Sequence, residues 1–74
     1  MAHDHVLDVR NLEPPEPFVR VMDALDGLGP GDRLTVLIDR RPGPLFRALD
    51  QNGFAYREAP GREALLEITI WRKS

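Results

Sequence analysis

The chain of 74 residues contains no cysteine. That one absence excludes a disulfide framework, a zinc site built on thiolates and a cysteine nucleophile. A domain this small that does without disulfides suits the reducing cytoplasm, where we expect it. Serine is almost as scarce: Ser74 is the first and the last, so no Ser-His-Asp arrangement is expected. No apolar run approaches the ~20 residues that cross a bilayer, and no basic start leads into an apolar stretch as in a signal segment. We therefore expect no membrane association. Lys73 is the only lysine, and 12 acidic against 10 basic residues leave a net charge of −2. A nucleic-acid binder neutralises phosphates with a basic surface, so this acidic balance argues against a nucleic-acid partner.

What is present is the composition of a globular domain, 42% hydrophobic and 30% charged. One domain accounts for residues 6–74, preceded by a flexible N-terminus at 1–5. A chain of this size buries only about 60% of its unfolded surface, so its core is thin.

Two periodicities alternate along it. Val6, Leu7, Asp8 and Val9 form a short β-branched run. After a proline-rich segment, Phe18, Val21, Met22, Leu25 and Leu28 follow at spacings of three and four, one stripe of a helix. Pro15 and Pro17 suit its first turn, where amides have no intrahelical partner, and Gly29, Pro30 and Gly31 stop it. Residues 33–39 read as a strand with Leu34, Val36 and Ile38 on one face and Thr35 and Leu37 on the other. Pro44 suits the start of a second helix, whose apolar face is Leu45, Phe46 and Leu49 and which Asn52-Gly53 ends. Strands at 54–58 and 64–72 flank a turn at Ala59, Pro60 and Gly61. The order β-α-β-α-β-β predicts a two-layer α/β (α+β) sandwich, a mixed four-stranded sheet with both helices on one face.

Leu7-Asp8 followed by Asn11-Leu12-Glu13-Pro14-Pro15-Glu16-Pro17 resembles the opening of the TusA (SirA-like) sulfur carriers, which have Leu-Asp and then Cys-Pro-x-Pro at the first helix. The element order and the Gly-Pro-Gly-Asp before the second strand agree with that TusA-like fold. The chain is most similar to a cysteine-free relative, the uncharacterised family called domain of unknown function 2249, with which residues 39–45 also agree in part. In the carriers the helix N-terminus favours the thiolate. Here Pro14 occupies the matching position, with Glu13 adding negative charge, so sulfur carriage is not expected. The resemblance implies neighbours among bacterial redox and metal-handling proteins.

Ligands of such folds bind beyond the carboxyl ends of parallel strands. Two loops converge there, bringing Arg10, Asn11, Glu13 and Pro14 toward Asp39, Arg40 and Arg41. These seven are the candidate ligand- or partner-binding residues. Leu37, Leu65 and Trp71 fall on the helix-free side and are the candidate interface, with a homodimer as one way to cover it. Tyr56 and Trp71 have rings on which a base could stack. His3 and His5 offer two of the four ligands a structural zinc takes, so no metal is expected there. The reading that results is a non-catalytic binding or adaptor domain, with no cofactor, docking on a protein partner through the helix-free sheet face or the Pro14-to-Phe18 edge. The alternative is a small anionic ligand held by Arg40, Arg41 and the helix N-termini.

Overall fold

The computed structural model describes residues 3–73. Its elements are β1 (Asp4–Asp8), α1 (Glu16–Asp26), β2 (Arg33–Ile38), α2 (Gly43–Gln51), β3 (Phe54–Pro60) and β4 (Leu66–Arg72). The sheet order is β1-β2-β4-β3; β1 runs parallel to β2, and β4 is antiparallel to both its neighbours. Both crossovers, β1 to β2 and β2 to β3, move the same way across the sheet. Right-handed connections therefore put both helices on one face. The expected two-layer fold with a mixed four-stranded sheet is the one observed.

The core lies between the layers. Val21 and Leu25 from α1 and Leu45 and Leu49 from α2 meet Leu34, Val36, Ile38, Ile68, Ile70 and Phe54 from the sheet. Strict alternation on β2 and β4 makes this work, because every second side chain of each strand faces the helices. Val9 and Leu28, outside the regular elements, close the two ends. Helix α1 stops at Asp26, short of the glycine-proline turn, so Leu28 is buried from the connection and not from the helix.

Several strand boundaries differ from those read in the sequence, and β2, read over 33–39, ends at Ile38. Strand β1 begins at Asp4, within the segment expected to be a flexible terminus; residues 1 and 2 of that segment lie outside the described residues. The cause is Asp32, whose carboxylate accepts the His3 amide at 3.0 Å and the Gly29 amide at 3.1 Å, while the Arg33 amide donates to the His3 carbonyl. Strand β3 runs on to Pro60, which is tolerated because β3 is an edge strand and the proline is its last residue. Strand β4 starts at Leu66 and not at Ala64, because residues 61–65 are consumed by the turn.

That α1–β2 carboxylate and an arginine at the far end of β4 hold the rest of the frame. Arg72 reaches from the end of β4 to donate to the Leu28 carbonyl at 2.7 Å, just past the end of α1, and its guanidinium lies 5.0 Å from the Phe54 ring. Helix α1 has no basic residue in its own last turn, so a strand supplies the cation that its carbonyl end attracts.

Candidate functional site

The β1–α1 and β2–α2 loops lie side by side beyond the carboxyl ends of the two parallel strands, as expected. Two adjoining clefts open there, sharing Pro17, Ile38 and Arg40 in their walls. The first, about 300 Å³, is almost wholly apolar: Pro14, Pro15, Phe18, Pro42, Pro44 and Leu45 line it, with Arg41 beside Arg40. The second, about 260 Å³, is more polar and is walled by Val9, Arg10, Asn11, Leu12, Glu13 and Asp39. All seven sequence candidates of this site are thus brought together. Of the apolar members, the sequence marks the Pro14-to-Phe18 edge as a docking surface but does not single out Pro42, Pro44 and Leu45 as site residues. Phe18 begins the helical stripe and ends that edge; it stays 37% exposed and lines the first cleft. The signal for the cleft is density: five of the seven prolines fall at the two loop–helix junctions, and proline rings offer apolar surface without a competing amide.

The charges of the site are mostly committed to holding it. Arg10 forks onto Asp8, with Nε donating to Oδ1 at 2.9 Å and Nη2 to Oδ2 at 2.7 Å, and its Nη1 donates to the Glu63 carbonyl at 2.9 Å. The Arg10 side chain and then its backbone amide hold the Asp8 carboxyl down to about 2, and Asp8 in turn raises Arg10. Asp39 accepts the Leu65 amide at 3.1 Å. Arg10 and Asp39 therefore tie the β1–α1 and β2–α2 loops to the β3–β4 turn. In that turn the Gly61 amide bonds to the Leu65 carbonyl and the Arg62 amide to Glu67. Arg41 forks onto Glu58, at 3.0 and 3.2 Å, and lies over the Phe46 ring at 5.6 Å. Arg40 alone of the three site arginines has no protein partner among the described residues.

The helix starts supply few donors. In α1 the Glu16 amide bonds back to the Glu13 carbonyl and Pro17 has no proton; in α2 the Gly43 amide bonds to the Arg41 carbonyl and Pro44 has none. Each first turn is left with one free amide, Phe18 or Leu45. An anion site at a helix N-terminus needs several converging N–H groups, so the prolines that start these helices also weaken them as anion binders.

The remaining candidates lie elsewhere. Leu37 sits half-buried on the helix-free face between Asp8 and Glu67 in the sheet register. Leu65 is in the β3–β4 turn, 61% exposed, and Trp71 is near the opposite end of β4. These three do not form one apolar patch. Tyr56 stacks on Phe46 at 4.7 Å on the helix side, the opposite face of the sheet from Trp71. His3 and His5 have ring centroids 6.3 Å apart, and His5 Nε2 lies 3.9 Å from Asp32. Among the described residues no three His, Cys, Asp or Glu side chains gather as a metal would need.

No curated protein and no solved structure matches the chain. One family model does, over residues 6–72, which takes in every element from α1 to β4 and all of β1 but its first two residues. The two clefts, the proline-started helices and the Asp8–Arg10 fork all fall within that span, and the chain belongs to the family described as Uncharacterized conserved protein (DUF2249).

Proposed function

We propose that the chain is a non-catalytic docking domain of the cytoplasm, and that a protein partner seats an apolar side chain in the proline-lined cleft. The observation that carries this reading is the cleft's composition: an apolar trough of about 300 Å³ on a rigid frame, with Arg40 at its rim. Rigid, concave apolar surface is where binding energy concentrates, since the groups that line it lose little freedom on binding. The alternative, a pocket for a small anion, has Arg40 and Asn11 in its favour. It has against it that Arg10 and Arg41 are already paired and that the helix amides are blocked or bonded. No side chain here is placed as nucleophile and base, and none is proposed to act catalytically.

The test is a random peptide library displayed on phage, selected on the domain and counter-selected on Phe18→Asp. Selected peptides should carry an apolar anchor and bind Phe18→Asp at least about tenfold more weakly, which is about 1.4 kcal/mol. Peptides indifferent to Phe18, or none enriched at all, would sink the proposal. Saturable binding of phosphate that Arg40→Ala abolishes would establish the anion pocket in its place.

A further inference from the structure

The helix-free face of the sheet is graded in charge. Following the register across the strands, one row holds Asp8, Leu37, Glu67 and Ala59, and the next holds Val6, Thr35, Thr69 and Arg57. Beyond these, Asp4 pairs with Arg33 and Trp71 with Ala55. On this face Asp8 and Glu67 thus lie at the end that bears the clefts, while Arg33 and Arg57 lie away from it, with Asp4 beside Arg33. At that other end a concavity of about 460 Å³ is lined by Gly31, Arg33, Arg57, Thr69, Trp71 and Arg72.

Three of its groups are open to a ligand. Arg57 has no protein partner among the described residues. Arg33 meets only Asp4, at 3.6 Å and with both side chains more than half exposed, a contact that water largely screens. Trp71 is half-buried and lines the concavity; no described guanidinium lies over its ring, and its neighbour on β3 is the small Ala55. The Arg72 head is spent on α1, so that residue contributes wall and not charge.

We propose that this concavity binds a nucleoside phosphate, with the base stacked on Trp71 and the phosphate held by Arg57 and Arg33. A guanidinium pairs with phosphate oxygens through two parallel N–H bonds, and an indole face accepts any base. The Thr69 hydroxyl faces the same way directly opposite Arg57; it lies 3.5 Å from the Thr35 hydroxyl, and with Thr35 donating to it, its own proton is available to the ligand. The row of Asp8 and Glu67 bounds the site, so it takes one nucleotide and repels a continuing chain. The proposal is independent of the proline-lined cleft, which lies at the other end of the sheet.

Trp71 is the only tryptophan, so its fluorescence reports on this site alone. Adenosine monophosphate, adenosine, inorganic phosphate and a short single-stranded oligonucleotide would each be titrated, with amide shifts recorded in parallel. The expected result is saturable quenching by the nucleotide, with shifts at Arg33, Arg57, Thr69 and Trp71. Arg57→Ala, with its other amides unmoved, should weaken it at least about tenfold. Phosphate and adenosine alone should bind more weakly by a similar factor. No saturable change at millimolar nucleotide would overturn the site, as would equal binding of adenosine without phosphate. An oligonucleotide bound more than about tenfold tighter than the nucleotide would overturn a one-nucleotide site.

Discussion

Removing the Arg72 side chain should cost this domain about 2 kcal/mol, although the residue is charged and sits near the end of an edge-flanked strand. Its Nε donates to the Leu28 carbonyl at 2.7 Å, a charge-assisted bond, and bonds of that kind contribute about 1.5–3 kcal/mol. The second donor, Nη2, is 3.4 Å from the Leu25 carbonyl and adds little. A guanidinium over a ring at an exposed position contributes about 0.5–1 kcal/mol, and a cation at a helix carboxyl end about 0.3–1 kcal/mol. These terms share one group and overlap, and partial exposure trims them, so the sum is held to about 2 kcal/mol. In a domain of this size that is a fall in Tm of about 10 °C. Urea and thermal unfolding of Arg72→Ala, followed by circular dichroism, would measure it. Arg72→Lys should recover part of the loss, since an ammonium keeps the charge but cannot both donate to the carbonyl and lie flat on Phe54. If Arg72→Ala unfolds within about 0.5 kcal/mol of the parent, as ordinary surface changes do, the tertiary cap of α1 contributes nothing and the reasoning fails.

Other substitutions test other joints. Leu25→Ala, deep in the core, should cost about 3 kcal/mol, whereas Phe18→Ala should cost only about 1 kcal/mol, because much of that ring already faces the cleft. Equal losses in equilibrium unfolding would return Phe18 to the core. Gly61→Ala should destabilise by about 2 kcal/mol, because the new methyl would overlap the Ala64 carbonyl in the β3–β4 turn; an unchanged urea midpoint would show that the turn gives way freely. Asp8, held to about 2 mainly by the Arg10 side chain, and Asp32, held below 3.8 mainly by the His3 amide, both have folded pKa values below their unfolded ones. Their contribution is complete above 3.8 and is lost as the pH falls through the folded values, so the urea midpoint should drop between about pH 3.8 and about 2. Asp32→Asn should lower the midpoint at neutral pH and shallow that acid limb; an unaltered limb would count against the Asp32 contacts.

The layers of this fold are written in its periodicities. Alternation at Leu34, Val36 and Ile38 and the three-four spacing at Val21 and Leu25 are local patterns, and each can be satisfied only by a strand or a helix with one buried face. The prolines at 15, 17 and 44 mark helix starts for reasons of single-residue geometry. The cross-links have no such signature. Arg10 to Glu63, Asp39 to Leu65 and Arg72 to Leu28 join residues 26 to 53 positions apart, and nothing periodic announces which charged side chain meets which backbone group. The same is true of the site. Its loops were legible from the strand order, but the pairing of Arg41 with Glu58 was not, and that pairing turns a seemingly basic turn into an apolar cleft with one free guanidinium. Phe18 reads both as the first residue of the core stripe and as the end of the Pro14-to-Phe18 edge, because a helical stripe shows which side chains share a face and not where the neighbouring element ends.

The most direct measurement is an amide-resolved NMR titration of the labelled domain with a peptide from the library selection, beside sulfate, phosphate and a dicarboxylate. A docking cleft predicts saturable peptide shifts at Phe18, Ile38, Arg40, Arg41 and Leu45, with the three anions leaving those amides still. Anion shifts that saturate at residues 40–45 and 11–18, with the peptide silent there, would contradict it.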